Sequence, residues 1–213
     1  ESGWSIPGGQ KYHGPRMRYA EGDWSNAAFW LVAGAIGGSI GCQGLDMESP
    51  QGDRAIAALL EEFGAETRVA LNQITATHKE MKGIRIDASQ IPDLVPILCV
   101  AAAAAEGKTE IYNAGRLRMK ESDRLAVMAE CMQKIGVEVE ERPDSIIITG
   151  GCNPPEGEIV IDSHNDHRIV MAMAIAAVSL GVELTILGAE AVNKSYPSFF
   201  IELAKLGGVT NVL

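Results

Sequence analysis

The chain has 213 residues, 46% hydrophobic and 22% charged, an ordinary globular composition with enough apolar material for one extensive core. Eighteen Lys and Arg stand against 28 Asp and Glu, a net charge of −10, which argues against nucleic acid as the main partner. That balance does not exclude a small anion held by a local cluster of cations.

Residues 1–19, with Pro7, Gly8, Gly9 and Pro15, show no periodic pattern and read as a linker or the end of a neighbouring domain. The chain opens on Glu1 rather than Met, as an excised piece of a longer protein would. Regular pattern starts at Met17–Ala20. From there a unit repeats: an acidic residue, an almost wholly apolar helix, a Gly turn, a short strand, a loop, a second helix closed by Gly, and further strands.

In the first unit Asp23 precedes Ala27–Ile36, and Asp53 precedes Ile56–Phe63, closed by Gly64. In the second Asp93 precedes Val95–Ala105, and Asp123 precedes Leu125–Ile135, closed by Gly136. In the third Asp166 precedes Ile169–Leu180, and Ser198 precedes Phe199–Leu206, closed by Gly207. Asp23 to Asp53 and Asp93 to Asp123 are both 30 residues, and Asp166 to Ser198 is 32. The units run over about 20–85, 86–156 and 157–213. Glu66–Ala70, Val137–Glu140 and Ser145–Thr149 read as strands after the second helices, and Thr109–Tyr112 as the strand after the Val95–Ala105 helix.

The two helix types differ physically. The first of each unit is apolar on nearly all sides and must be buried all round, whereas the second has one charged face and belongs on the surface. Three buried helices surrounded by sheets and outer helices make an inside-out α/β fold with approximate threefold symmetry. No run of about 18 uninterrupted apolar residues occurs, so neither a transmembrane span nor a membrane partner is expected. Cys42, Cys99, Cys131 and Cys152 follow no metal-ligand or disulfide spacing. The expectation is therefore a reducing, cytoplasmic setting with no metal, and the sequence encodes no cofactor site.

Arg118-Met119-Lys120-Glu121-Ser122-Asp123-Arg124 places three cations and two carboxylates where a loop enters a helix. Ser122 or Asp123 is a suitable N-cap. The helix start, with Lys120 and Arg124, suits a dianion such as a phosphate, and Glu121 beside them suits proton transfer. His164-Asn165-Asp166-His167-Arg168, Asn193-Lys194-Ser195-Tyr196-Pro197 and Ile91-Pro92-Asp93 also precede helices. Taken singly, each of these three stretches is read more simply as a polar cap or a solvated turn. Threefold repetition gathers Asp93, Lys120, Glu121, Arg124, His167, Arg168 and Lys194 on one end of the domain, where helix dipoles add to the cations.

RMKESDR, NDHR and NKSYP in this order, with IPD upstream, GGQ at Gly8–Gln10 and EGDWSNAAFWL at Glu21–Leu31, closely resemble the 5-enolpyruvylshikimate-3-phosphate (EPSP) synthases, the 3-phosphoshikimate 1-carboxyvinyltransferases. The resemblance covers essentially the whole chain but only the C-terminal half of the usual enzyme. It implies a two-domain protein of three βαβαββ units per domain that closes over its substrates. Residues 1–19 would be the end of a missing N-terminal domain and the crossover, and 20–213 the C-terminal domain.

The reaction implied is transfer of the enolpyruvyl group of phosphoenolpyruvate to the 5-hydroxyl of shikimate 3-phosphate with release of phosphate, a step of aromatic amino acid biosynthesis. Asp93 and Lys120 would contact the ring hydroxyls, with Asp93 a candidate base. Arg124, Arg168 and Lys194 would hold phosphoenolpyruvate. Glu121 and Lys194 would be candidates for proton transfer at its methylene carbon, and His167 would orient neighbouring groups. The partners expected are these two substrates and the N-terminal domain, without which little turnover and weak anion binding are expected. Two other functions fit the repeat: a non-catalytic binding or scaffold domain, and a nucleic-acid module of the RNA cyclase type. The first has no need of Glu121, Arg124, Arg168 and Lys194 together, and the acidic balance opposes the second.

Overall fold

The helices without a polar face occupy the middle of the molecule. A computed structural model describes residues 3–11, 13–14 and 20–211. Its central helices are α1 (Trp24–Gly37), α3 (Val95–Ala104) and α5 (His167–Leu180), and each packs against the other two. Nine residues of α3, from Val95 to Ala103, are buried. Alanine at 101–104 leaves no bulk to hold neighbouring helices apart. The outer helices are α2 (Ile56–Phe63), α4 (Arg124–Lys134) and α6 (Phe199–Lys205), each with exposed residues on one side.

Three sheets surround this centre. β1 (Ser39–Gln43), β3 (Gln73–Thr77) and β2 (Glu66–Ala70) form an antiparallel sheet in that order. β4 (Arg85–Asp87) runs parallel to β5 (Lys108–Tyr112), which continues antiparallel to β7 (Ser145–Thr149) and then β6 (Glu138–Arg142). β8 (Val160–Asp162) and β9 (Thr185–Leu187) form a parallel pair. The class is α/β with its helices inside.

The expectation of three complete βαβαββ units is met in full only by the middle one among the described residues. The first contributes α1, β1, α2, β2 and β3, and most of the pattern expected at Met17–Ala20 lies outside the described residues. The third contributes β8, α5, β9 and α6, with no strand after α6 among the described residues. Gly8–Gln10 are described but belong to no helix or strand.

The threefold relation is nonetheless visible in single backbone hydrogen bonds. Gly22 N–H donates to Gly44 O at 2.7 Å, Ala88 N–H to Tyr112 O at 2.9 Å and Ser163 N–H to Leu187 O at 3.2 Å. Each bond ties the entrance of a central helix to the end of the strand that follows that helix. The residue after each of those strands is left-handed: Gly44 (φ 80), Asn113 (φ 55) and Gly188 (φ 71). Glycine adopts that conformation freely, and asparagine is among the few other residues that tolerate it.

Two kinds of expected helix entrance differ from what is observed. Asp23, Asp123 and Asp166 do cap helices, accepting from Ser25 N, Ala126 N and Arg168 N. Asp53 and Asp93 do not; they lie inside the 3-10 turns Gly52–Ala55 and Pro92–Leu94, which frees their carboxylates for other partners. Ser198 makes no side-chain cap. α4 and α5 also begin earlier than their apolar pattern, at Arg124 and His167, so both arginines at this end fall in first turns.

Gly34 sets how closely α1 approaches its sheet. A Cβ there would lie 2.6 Å from Ala76 O and 2.8 Å from Ile40 N, both backbone atoms. Alanine is worth about 1 kcal/mol over glycine in a helix, but overpacking against atoms that cannot rotate away costs roughly 1–3 kcal/mol. Gly34→Ala is therefore expected to lower stability, read as an earlier midpoint in urea denaturation.

The four cysteines are free thiols; burial raises those of Cys99 and Cys131, the latter to about 12, so they act as small apolar residues. Among the described residues no helix is long and apolar enough to cross a membrane, and no group of His, Cys, Asp and Glu is placed to hold a metal ion.

Candidate functional site

A helix start carries positive partial charge, so a buried arginine there requires anions to offset it. Arg124 is the first residue of α4 and 1% exposed. Its Nε donates to Asp166 Oδ2 at 2.7 Å, Nη1 to Asp93 Oδ1 at 2.8 Å, and Nη2 to Glu121 Oε2 at 2.6 Å and Asp166 Oδ1 at 3.3 Å. These bonds join the entrances of three helices, because Asp93 leads into α3, Asp166 caps α5, and Arg124 opens α4.

Asp166 is fully buried and also accepts from Ser122 Oγ at 3.0 Å and from the Arg168 backbone N–H at 2.9 Å. Burial alone would raise its carboxyl, but Arg124, with the bonds from Arg168 N–H and Ser122, outweighs burial and holds it below the ordinary 3.8. Asp93 is less enclosed. Lys120 Nζ lies 3.2 Å from its Oδ1 and Arg168 Nη2 3.5 Å from its Oδ2. Burial again acts upward and is overcome by Arg168, Lys120 and Arg124, so Asp93 too lies below 3.8.

Arg168 Nη1 donates to Asp93 O at 3.2 Å. His167 is buried, its Nδ1 has no hydrogen-bond partner, and Asp166 Oδ1 is 4.0 Å away. Burial, then the neighbouring Arg168, lowers its pKa below 6.5, so the ring is neutral at neutral pH. Lys194 ends the 3-10 turn Ala189–Lys194, is exposed, and donates to Asn165 O at 2.5 Å. It therefore joins the cluster through the His164–Asp166 loop rather than by direct contact with Asp93 or Arg124. His164 and Asn165 are both left-handed, which turns that loop tightly enough to present Asn165 O outward and Asp166 inward.

All seven residues singled out from the sequence stand at this end of the domain. One expectation changes. Lys120, Arg124 and Arg168 face Asp93, Glu121 and Asp166, so three cations meet three carboxylates and the end is not an open cationic surface. Arg124 already gives four of its five N–H donors to carboxylates, which leaves one Nη1 N–H for an anion. Lys120 and Arg168 retain more uncommitted donors. Asp53 was read from sequence as a helix entrance alone; it is buried, bonded to Ser25 Oγ, and its carboxyl is raised by burial against the pull of that bond and of Arg168.

Asp166 and Ser122 also carry the network without having been singled out for it. The available signal was electrostatic: two arginines at helix starts, each adjacent to or near an aspartate, demand compensation by carboxylates.

Apolar helices inside, sheets outside and a balanced charge cluster at the helix entrances define an inside-out α/β domain with one polar end. The family model described as EPSP synthase (3-phosphoshikimate 1-carboxyvinyltransferase) matches residues 1–203, and the chain belongs to that family. It is 47% identical over 203 residues to the 3-phosphoshikimate 1-carboxyvinyltransferase of Clostridium acetobutylicum, covering 95% of this chain and 46% of that protein. The Clostridium kluyveri protein of the same name is 48% identical over 188 residues, 88% of this chain and 44% of that one. The solved structure of EPSP synthase from Acinetobacter baumannii superimposes with a TM-score of 0.70 at 33% identity, covering 87% of this chain and 46% of that chain. The chain thus spans about half the length of the relatives it matches.

Proposed function

We propose that this chain is the C-terminal domain, residues 20–213, of an enzyme that transfers the enolpyruvyl group of phosphoenolpyruvate to the 5-hydroxyl of shikimate 3-phosphate and releases phosphate. Residues 1–19 are, on this reading, the end of an N-terminal domain that completes the site and the crossover from it. A cytoplasmic setting belongs to the same reading. The observation that carries it is the meeting of Lys120, Arg124 and Arg168 on the single carboxylate of Asp93, at the entrances of three helices.

The chemistry needs a base at the attacking hydroxyl, a proton donor at the methylene carbon, and cations for two multiply anionic substrates. Asp93 is the base and, with Lys120, the contact for the ring hydroxyls. Its lowered pKa makes it a weak base while Lys120 and Arg168 face it. Substrate anions that draw those cations away leave Asp93 more basic at the moment the hydroxyl arrives. Arg168, Arg124 and Lys194 hold phosphoenolpyruvate. Glu121 and Lys194 exchange the proton at its methylene carbon, first adding it as the C–O bond forms and later removing it as phosphate departs. Neutral His167 orients its neighbours. Closure of the two domains excludes water and strengthens each charge contact.

The test is phosphate release from phosphoenolpyruvate in the presence of shikimate 3-phosphate. This chain alone is expected to give little or none, and this chain mixed with a separately made N-terminal half of a family member is expected to restore it. Full turnover by the chain alone would remove the need for a second domain. No turnover by the correctly assembled pair would remove the proposed activity.

A further inference from the structure

We propose that Arg118 is a positioning residue that clamps the loop bearing Lys120 and Glu121 to the β6–β7 turn. The proposal rests on the transferase reading above. Arg118 points away from Asp93 and touches none of the residues assigned to substrate. Its Nε donates to Pro143 O at 2.9 Å and its Nη2 to Arg142 O at 2.7 Å. Nη2 also lies 2.8 Å from Glu141 Oε1, and Nη1 donates to Asp123 Oδ2 at 3.0 Å and Oδ1 at 3.3 Å. One planar fork therefore binds two carbonyls of the turn and two carboxylates, a geometry no other side chain reproduces.

The rest of the loop has few anchors. Leu117 is buried, but Met119 is 81% exposed and contributes no packing. At its start the loop is pinned by the Ala114 and Gly115 N–H groups on Asp144, at 2.9 and 2.5 Å. At its end Asp123 caps α4 through Ala126 N. Between these points the buried Leu117, the Ser122 bond to Asp166 and the Arg118 clamp hold the backbone that delivers Lys120 to Asp93 and Glu121 to Arg124, and only the clamp ties it to the β6–β7 turn. Arg118 also holds the cap itself, since its Nη1 and the Ala126 N–H share the Asp123 carboxylate.

A displaced loop misplaces two groups at once. Glu121 moves from the reacting carbon, which lowers kcat, and Lys120 moves from the ring hydroxyls, which raises KM for shikimate 3-phosphate. Arg168 and Lys194 stand on other elements, and Arg124, though next to the loop, is held by Asp166 and Asp93 at the entrances of α5 and α3, so KM for phosphoenolpyruvate stays near wild type. A general loss of folding produces no such asymmetry.

The experiment compares wild type, Arg118→Ala and Arg118→Lys in this chain assembled with its complementary half, with amide hydrogen exchange measured over residues 114–123. Arg118→Ala is expected to lower kcat by about 10-fold to 100-fold, the scale of a misplacement near 1 Å. It should raise KM for shikimate 3-phosphate but not for phosphoenolpyruvate, and speed exchange in the loop. Arg118→Lys keeps a cation beside Asp123 and Glu141 but cannot also reach both carbonyls. It is expected to recover thermal stability and not kcat.

Wild-type kcat in Arg118→Lys would overturn the proposal, as would unchanged loop exchange in Arg118→Ala or equal changes in both KM values. A wild-type assembly that releases no phosphate would instead overturn the transferase reading, while loop exchange would still report the clamp.

Discussion

Replacing Asp166 with alanine is expected to lower the stability of the domain by roughly 3–5 kcal/mol, the cost of breaking a buried ion pair from one side. Asp166 is fully buried and Arg124 is 1% exposed, so the arginine left behind has little water to turn to. Asp93 and Glu121 still face it, and both are partly open to solvent, which keeps the loss from exceeding that range. The same substitution removes the α5 cap on Arg168 N, worth about 1 kcal/mol within the total. Arg124→Met combined with Asp166→Ala is expected to cost less than the two single losses added together, because the second change removes the charge that the first left unpaired. Urea denaturation of the three variants measures this.

The same carboxylates set the acid limit. Asp93 and Asp166 both have folded pKa values below the ordinary 3.8. In each case the unfolded chain binds the proton more readily than the native one. Their stabilisation is thus fully present above 3.8 and is lost as pH falls through the folded values. Asp166→Ala lacks one of the two groups, so its stability is expected to fall less steeply below that pH than wild type. A slope as steep as wild type would mean that Asp166 contributes no acid sensitivity.

The burial of the central helices could be read from their sequences, since α3 offers no polar side chain that would have to reach water. The outer helices were equally readable, with their glycine ends at Gly64, Gly136 and Gly207. The gathering of charged residues followed from repeat spacing. What the spacing could not supply was the partner of each charge. Arg118 to Arg124 reads as a solvated loop because Asp93 and Asp166 lie 31 and 42 residues from Arg124 in sequence. Only the fold brings those carboxylates onto the guanidinium and turns an apparent surface cation into the most buried cation of the cluster.

Arg168→Ala is expected to lower kcat/KM for phosphoenolpyruvate by roughly 100-fold while leaving the fold largely intact. Arg168 and Arg124 occupy comparable places at helix starts, yet they differ in what their donors already do. Arg124 spends four contacts on carboxylates. Arg168 makes one hydrogen bond, to Asp93 O, and a looser 3.5 Å approach to Asp93 Oδ2, so its remaining N–H groups stand ready for an anion beside the α5 start. Truncating Arg124 should therefore lose stability and activity together, and truncating Arg168 should lose activity foremost. A second consequence separates the two roles. Arg168 is the foremost cation holding the Asp93 pKa down against burial. Its removal raises that pKa, so the acid limb of the kcat/KM profile is expected to move to higher pH. Arg168→Lys, which keeps the charge without the fork, should return the limb towards its wild-type position while restoring only part of the rate. A pH profile unmoved by Arg168→Ala would show that Asp93 is not the group titrating in catalysis.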